Sequence, residues 1–113
     1  MAEEKCLFCD IIAGKIPAEI VDQNDDVVVI KDINPKMPVH LLIIPKKHVK
    51  NIVSLEKDSS HLMGGIALMA KKIAQEKLGN GDFRLIINNG PGAGQSVFHL
   101  HCHFLSGKKM SDF

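Results

Sequence analysis

Histidines alternate with hydrophobic residues near the carboxyl end of the chain, and this alternation constrains the fold more than any other feature of the sequence. His99, His101 and His103 lie within residues 97–105, whose other members are all hydrophobic. Successive side chains of a β-strand point to opposite faces of a sheet. The segment therefore predicts a strand with one apolar face, which packs on a core, and one face that is a row of imidazoles.

Packing alone explains such a row poorly, because each buried imidazole needs a polar partner. A core histidine is the ordinary structural alternative for one member, but not for three.

A single metal site made of all three histidines is strained as well. In a strand that rises ~3.3 Å per residue the outer two are about 13 Å apart, whereas the nitrogens that bind one zinc ion lie within about 4 Å of each other. We therefore expect the row to be divided between a metal site and a reacting group.

The hydrophobic pattern of the whole chain predicts an α+β fold with a five-stranded antiparallel sheet. A short amphipathic helix is expected over residues 6–13, and a long one from Asp58 or Ser59 to the turn at Gly79. The strands are expected over residues 18–23, 27–32, 40–44, 83–88 and 97–105. This order is typical of an antiparallel meander with its helices on one face. The 113 residues suffice for one ordinary core, so we expect a single domain over residues 1–113.

Composition excludes several classes of protein. The chain is 45% hydrophobic and 24% charged with a formal net charge of +1, which is typical of neither a disordered protein nor one that binds nucleic acid or an anionic membrane. The first residues are acidic and no apolar run approaches the ~18 residues of a membrane span. We expect an intracellular protein without nucleic-acid or membrane partners, located in the cytoplasm and, in a eukaryote, also in the nucleus.

Two of the three cysteines, Cys6 and Cys9, have the C-x-x-C spacing. An odd number of cysteines in a chain with no sign of export favours metal binding or redox chemistry over a disulfide framework. The redox alternative is weaker, because thioredoxin-like pairs open a helix directly after a strand and only five residues precede Cys6. Two reduced cysteines that merely pack a short helix remain the structural alternative.

A glycine-rich loop over residues 90–96 immediately precedes the histidines. Glycine lets the backbone approach an anion closely, and successive N–H groups form an anion-binding nest. Most such loops are simply turns. This one gains weight because the chain has a single arginine, Arg84, so a phosphate would be bound by backbone N–H groups, lysines or imidazoles.

Residues 94–105 read GQSVFHLHCHFL and closely resemble the signature of the histidine triad (HIT) family. Residues 32–35, 38–48 and 84–88 are similar to the Hint branch of that family, the purine nucleoside phosphoramidases, and the resemblance extends from about Phe8 to Met110. It implies a HIT-like fold. It also implies a homodimer, in which two-fold pairing covers the apolar edge strand expected over residues 83–88.

The resemblance implies a hydrolase that cleaves the P–N bond of adenosine or guanosine 5′-phosphoramidates and releases AMP or GMP. His101 would attack the α-phosphorus and form a covalent nucleotidyl-histidine, which water then hydrolyses. His103 and Ser96 would contact the phosphate and the departing group, and His40 would support the triad from behind. The other nucleotide-binding positions are the apolar purine slot of Leu7, Phe8, Ile11, Ile30 and Ile33, the ribose carboxylate Asp32, and the phosphate-binding Asn88, Gly94 and Gln95.

Many bacterial and protist members of the family bind zinc through a cysteine pair and two histidines. The resemblance thus implies a structural Zn²⁺ held by Cys6, Cys9, His48 and His99, which leaves His101 and His103 for catalysis.

Three points stay open at the level of sequence. Residues 108–113 lack the tryptophan-bearing tail of the animal enzymes, so the preferred leaving group is undefined, and His61 has no family role beyond a solvated helix face. The alternatives to a phosphoramidase are a dinucleoside polyphosphate hydrolase and a regulatory protein that binds AMP without catalysis.

Overall fold

The computed structural model describes residues 6–112, so the acidic first residues and Phe113 lie outside it. Five strands form one antiparallel sheet in the order β1-β2-β3-β5-β4. The strands are β1 (Ile20–Gln23), β2 (Val27–Lys31), β3 (Val39–Pro45), β4 (Arg84–Ile86) and β5 (Cys102–Ser106), and the helices are α1 (Leu7–Ile12) and α2 (His61–Lys77). The predicted α+β class and strand number are confirmed. Only β1, β2 and β3 form a meander, because β5 lies between β3 and β4.

The two helices pack on opposite faces of the sheet, so the expectation that they share one face was wrong. Ile66, Met69 and Ile73 of α2 pack on one face, against alternate residues of β2, β3 and β5 such as Val29 and Phe104. Phe8 and Ile11 of α1 cover the other face, together with Val28, Ile30, Leu42 and Ile44. The physical reason is that β2 and β3 are continuous apolar runs, whose two faces must both be buried. Each buried aliphatic side chain contributes about 1.5–3 kcal/mol.

The last strand begins at Cys102 and not at residue 97, so the predicted strand was too long. The three imidazoles nevertheless lie on the α1 side, because the Phe8 ring contacts those of His99 and His101, and the His101 and His103 rings are 5.3 Å apart between centroids. Only His103 lies in β5. The preceding segment is held by the chain around residues 45–50, because the Leu100 N–H donates to the Val49 carbonyl at 2.6 Å and its side chain packs with Val49 and Leu62. Phe98, expected on the apolar face, is 44% exposed.

The helix α2 begins at His61, since residues 57–59 form a separate 3₁₀ turn, and it ends before Gly79, whose φ of +58° matches the predicted terminus. The strand β4 lies at the edge of the sheet, as expected, although it is shorter than residues 83–88. Among residues 6–112, neither helix is long and apolar enough to cross a membrane.

Candidate functional site

A pocket of about 390 Å³ lies on the sheet face that carries α1. Alternation along β3 places His40 on the same face as Leu42. Because Leu42 is paired with His103 of β5, the imidazoles of His40 and His103 lie close together. The pocket lining includes five of the residues predicted from the sequence: Asp32, His40, Asn88, Ser96 and His103. Residues that are more than sixty positions apart in the chain therefore meet because β3 and β5 are neighbours.

Hydrogen bonds fix the protonated nitrogens of His40 and His103. The backbone N–H of Lys36 donates to Nδ1 of His40 at 3.0 Å, so the proton of the neutral His40 ring is on Nε2. That Nε2–H lies 2.9 Å from Nδ1 of His103 and donates to it. The neutral His103 ring consequently carries its own proton on Nε2. Lys36 was missed by sequence reasoning, because the contribution of a backbone N–H has no signature in the sequence.

Burial lowers the pKa of both rings. The pKa of His40 lies below the usual range chiefly because the desolvated site disfavours the cation, and the Asp32 carboxylate, whose Oδ2 is 3.3 Å from Nε2, offsets only part of this. The pKa of His103 is lowered first by burial and then by the neighbouring imidazoles of His101 and His40. Both rings are therefore predominantly neutral at pH 7, in agreement with the hydrogen-bond pattern.

His101 has the complementary arrangement. Its Nδ1 lies 2.7 Å from the carbonyl oxygen of His99, to which Nδ1–H donates, so Nε2 of the neutral ring carries the lone pair. The ring is buried between two others: the Phe8 ring meets it edge-on at 5.0 Å between centroids and the His103 ring lies at 5.3 Å. The structure thus brings together His101, whose Nε2 carries a lone pair, and His103, whose Nε2 carries a proton.

The glycine-rich loop is more rigid than its composition indicates. The N–H groups of Ala93, Gly94 and Gln95 donate to the carbonyls of Gly90 and Pro91 in a 3₁₀ turn, so these three are not the open nest predicted from the glycines. The Gln95 side chain is 3% exposed, accepts from the Gly90 N–H and donates to the carbonyls of Lys50 and Val97. Gln95 therefore fixes the loop, and its contact with a nucleotide stays a prediction.

The five residues predicted to form the purine slot are placed in two ways. Phe8, Ile11 and Ile30 are buried in the apolar cluster beneath α1. Leu7 is 43% exposed and Ile33, which directly follows the pocket residue Asp32, is 98% exposed. Exposed apolar side chains next to a polar pocket are typical of a surface that binds an apolar ring.

The side chains of Cys6, Cys9, His48 and His99 meet beside α1, with one ligand atom from each within 4.8 Å of the others. Nδ1 of His99 is 3.3 Å from Sγ of Cys6 and 3.1 Å from Nδ1 of His48, and Sγ of Cys9 is 3.3 Å from Nδ1 of His48. Metal–ligand bonds of about 2.1 and 2.3 Å in a tetrahedron separate the ligand atoms by about 3.3–3.8 Å. The four residues could therefore hold a metal ion.

The orientation of His99 suits a metal ligand. Its ring is fully buried, and Nε2–H donates to the Pro45 carbonyl at 2.7 Å, which leaves the lone pair of Nδ1 directed at the two thiols and His48. A second group, Asp32, His40 and His103, is also close enough to chelate. That group does not suit a metal, because the Nε2 of His40 that faces the other two residues carries the proton.

Comparison with known proteins identifies relatives along the whole chain. A family model described as "Scavenger mRNA decapping enzyme C-term binding" matches residues 5–113. The chain is 46% identical over 112 residues to an uncharacterized HIT-like protein of Synechocystis, an alignment that covers 98% of this chain and 96% of the relative.

Solved structures of similar proteins share the fold. A HIT family hydrolase from Legionella pneumophila Philadelphia 1 is 44% identical with a TM-score of 0.89, over 95% of this chain and 96% of that one. A histidine triad protein from Clostridium difficile is 38% identical with a TM-score of 0.91, over 100% and 99%.

Two more distant structures are described with a ligand. A Zn-bound histidine triad family protein from Mycobacterium smegmatis is 28% identical, with a TM-score of 0.78 over 91% of this chain and 75% of that one. A histidine triad nucleotide-binding protein from Candida albicans is 27% identical, with a TM-score of 0.79 over 96% and 85%.

Proposed function

Because the chain belongs to the histidine triad family, we propose that it is a hydrolase that cleaves the P–N bond of adenosine or guanosine 5′-phosphoramidates and releases AMP or GMP. A close structural relative is described as a hydrolase and a more distant one as nucleotide-binding, which supports hydrolysis of a nucleotide. We propose that the single domain predicted over residues 1–113 carries this activity.

The observation that carries the proposal is the 2.7 Å hydrogen bond from His101 Nδ1–H to the His99 carbonyl. Since this bond keeps the proton on Nδ1, Nε2 retains its lone pair and is a nucleophile without prior deprotonation. The ring of His103 lies 5.3 Å away and has its proton on Nε2. One imidazole can therefore attack a phosphorus atom while the other donates to a phosphoryl oxygen.

The reaction then takes two displacements at phosphorus. Nε2 of His101 attacks the α-phosphorus, the bond from phosphorus to the amine breaks, and the amine nitrogen leaves with the electron pair and takes up a proton, assisted by Ser96 and His103. Water next attacks the phosphorus of the nucleotidyl-histidine and loses a proton. The P–N bond then breaks, its electron pair returns to Nε2 of His101, and AMP or GMP departs. The covalent route divides one difficult displacement into two easier ones.

Nucleotide recognition is proposed for residues around the same pocket. The Asp32 carboxylate accepts hydrogen bonds from the ribose hydroxyls, and Asn88 and Ser96 bind the phosphate beside His103. The common lining of one pocket by these four residues supports this assignment. The purine packs against the apolar side chains next to α1, where Phe8 already contacts the His101 ring.

We propose that the ion held by Cys6, Cys9, His48 and His99 is a structural Zn²⁺. Two thiolates and two imidazoles are the ligands of many structural zinc sites. When bound, zinc supplies a crosslink and no open coordination position for catalysis. The four ligands come from α1 and its N-cap, the segment after β3 and the segment before β5, so the crosslink joins three pieces of the chain.

We further propose a homodimer that acts in the cytoplasm. The edge strand β4 leaves Leu85 and Ile86 more than a third exposed, and the neighbouring Phe83 is 38% exposed. An apolar edge strand is a template for pairing with another strand, and pairing with a second copy covers it.

The activity is tested by incubating the purified protein with an adenosine 5′-phosphoramidate and measuring AMP release together with protein-bound nucleotide. The unmodified protein is expected to release AMP. His101→Asn is expected to lose at least a thousandfold in rate and to form no covalent adduct, because Asn lacks the nucleophilic nitrogen. His61→Asn is the matched control, since His61 is exposed on α2 and remote from the pocket lining.

Each alternative function gives a different result in this assay. Tight AMP binding without turnover would identify a regulatory nucleotide-binding protein. Turnover of diadenosine polyphosphates but not of phosphoramidates would identify a dinucleoside polyphosphate hydrolase. Undiminished turnover by His101→Asn would exclude His101 as the nucleophile.

A further inference from the structure

A second pocket adjoins the candidate site. It measures about 410 Å³ and includes Lys36, Arg84, Leu105, Lys108 and Lys109 in its lining. Lys36 and Leu105 also line the pocket that contains His103, so the two cavities are neighbours at these residues. We refer to the second cavity as the basic pocket.

The basic pocket concentrates positive charge. Four of its lining residues are cations and none is a carboxylate. The ion pairs formed among residues 6–112 use other lysines, Lys31 and Lys72, and leave these four without a carboxylate partner. In a chain with a net charge of only +1, four cations around one cavity are a local excess that attracts anions.

The wall of the pocket is held in place by its own arginine. The Arg84 guanidinium donates to the backbone carbonyl of Ser111 at 2.7 Å, which ties the segment after β5 to the edge strand β4. This contact positions Lys108 and Lys109 at the cavity without neutralising the guanidinium, because a carbonyl carries no net charge.

The position of the basic pocket relative to the nucleophile indicates what it binds. His101, His103 and Leu105 follow one another at alternate positions, with His101 at one end and the basic pocket at Leu105. In a displacement at phosphorus the entering and leaving atoms lie roughly in line on opposite sides. His103 and Leu105 line the candidate site, and Leu105 also lines the basic pocket, so a leaving group that points from a phosphorus beside His103 toward Leu105 reaches the basic pocket.

We propose that the basic pocket binds an anionic substituent on the leaving group, such as the carboxylate of an N-linked amino acid or a phosphate. This inference rests on the proposed function, because it names the class of leaving group that the same site accepts. Lys108 and Lys109 provide the charge that attracts the anion, and Lys36 contributes at the border of the two cavities. The reaction is otherwise unchanged: the P–N bond breaks, and the amine leaves protonated with its anionic substituent.

The test compares two adenosine phosphoramidates of alanine, one with a free carboxylate and one with a carboxamide. The kcat/KM for the carboxylate compound is divided by that for the carboxamide compound, and this ratio is measured for the unmodified protein and for Lys108→Gln/Lys109→Gln. The double variant is expected to lower this ratio at least fivefold, because it acts on the anionic substrate alone. Lys57→Gln/Lys71→Gln removes the same charge from exposed positions outside both pockets and is expected to leave the ratio unchanged.

Two further measurements complete the design. Raising the salt concentration to about 0.5 M is expected to reduce the ratio of the unmodified protein toward that of the variant, because exposed charges are screened within a few ångströms. Diadenosine tetraphosphate distinguishes the source of the anion, since its leaving group carries phosphates instead of a carboxylate. Lysine-dependent turnover of either anionic compound supports the basic pocket.

An equal effect of Lys108→Gln/Lys109→Gln on the charged and uncharged substrates would overturn the inference. Equilibrium binding of the same two alanine compounds gives the corresponding ratio without bond cleavage. If neither compound is hydrolysed but the carboxylate still binds more tightly through the lysines, the proposed function fails and the basic pocket stands. If both are hydrolysed and neither ratio depends on the lysines, the proposed function stands and the basic pocket fails.

Discussion

His99, His101 and His103 have the same side chain, but the structure uses their ring nitrogens in three ways. His99 donates from Nε2 to the Pro45 carbonyl and turns Nδ1 toward two thiols. His101 donates from Nδ1 and keeps the lone pair on Nε2, whereas His103 accepts at Nδ1 from His40 and keeps a proton on Nε2. In each ring, the hydrogen bond made by one nitrogen thus determines whether the other nitrogen carries a proton or a lone pair. The proposed roles of metal ligand, nucleophile and proton donor therefore depend on these bonds and not on residue type.

The lowered pKa values of His40 and His103 predict a pH-dependent stability. A histidine whose folded-state pKa lies below its unfolded value of about 6.5 binds protons better when unfolded, so the stability is complete above that pH and is lost as the pH falls below it. The melting temperature should therefore decrease between pH 7 and pH 5. In His40→Gln this decrease should be shallower, because glutamine does not titrate and its amide still donates to His103.

Thermal unfolding at half-unit pH intervals measures this effect for both proteins. The comparison of slopes isolates His40, since every other titrating group is common to the two. Parallel profiles would show that burial of His40 does not contribute to acid destabilisation.

Among the secondary structure elements, α1 depends most on its surroundings. It has six residues, and isolated helices shorter than about 12 residues are marginal in water. Its first turn is capped by the Cys6 thiol, which accepts the Cys9 N–H at 3.3 Å, and its Phe8 ring packs edge-on against both His99 and His101. The proposed metal site therefore holds the helix whose Phe8 ring packs on His101, the proposed nucleophile.

Removal of the metal should weaken nucleotide binding as well as stability. Cys6→Ser/Cys9→Ser is expected to contain no zinc. Its melting temperature should be at least about 10 °C lower, since 1 kcal/mol corresponds to ~4–8 °C in a small domain. It should also bind AMP at least tenfold more weakly, because Phe8 loses its fixed position. Elemental analysis, thermal unfolding and AMP titration measure the three effects.

The buried Cys102 provides a matched control for this prediction. Cys102→Ser also replaces a thiol, but Cys102 lies in the core on the α2 face, and burial raises the pKa of its thiol to about 11, so it stays protonated. This variant should retain full zinc content. Unmodified protein and Cys6→Ser/Cys9→Ser that are equally free of zinc would refute the metal site.

In the whole molecule, the two faces of the sheet have different roles: one carries the main core and the other carries the candidate site. The α2 face carries the main core around Phe104 and Ile43, both fully buried. The α1 face carries the candidate site, the basic pocket and the cluster of Cys6, Cys9, His48 and His99. The edge at β4 is an exposed apolar surface of the sheet, and it is the surface on which the proposed dimer depends.

The dimer is tested by introducing a charge at this edge. Leu85→Asp should dissociate the protein to one chain mass, because two carboxylates would face each other across the two-fold axis. Leu68→Asp is the control, since Leu68 is 67% exposed on α2 and away from the edge. Light scattering after size-exclusion chromatography gives both masses. Unmodified protein that already elutes at one chain mass would rule out the dimer.

The sequence by itself determined the α+β class, the five strands, the two helices and the family. Each of these depends on local information: apolar runs, glycine and proline positions, and the spacing of histidines. The candidate site followed from the same source in part, since Asp32, His40, Asn88, Ser96 and His103 share one pocket. Gly79 ends α2 where the sequence predicted, because a positive φ favours glycine whatever the surrounding fold.

Only the tertiary structure decided where β5 begins, which face each helix covers and which nitrogen of each ring carries the proton. Residues 97–101 alternate as a strand does, yet the Leu100 N–H donates to the Val49 carbonyl and not to a neighbouring strand. The α1 helix crosses to the second face because β2 and β3 are apolar on both sides, and the protonated nitrogen of His40 depends on a Lys36 N–H. These features arise from hydrogen-bond partners and exposed surfaces that exist only after distant parts of the chain have packed together.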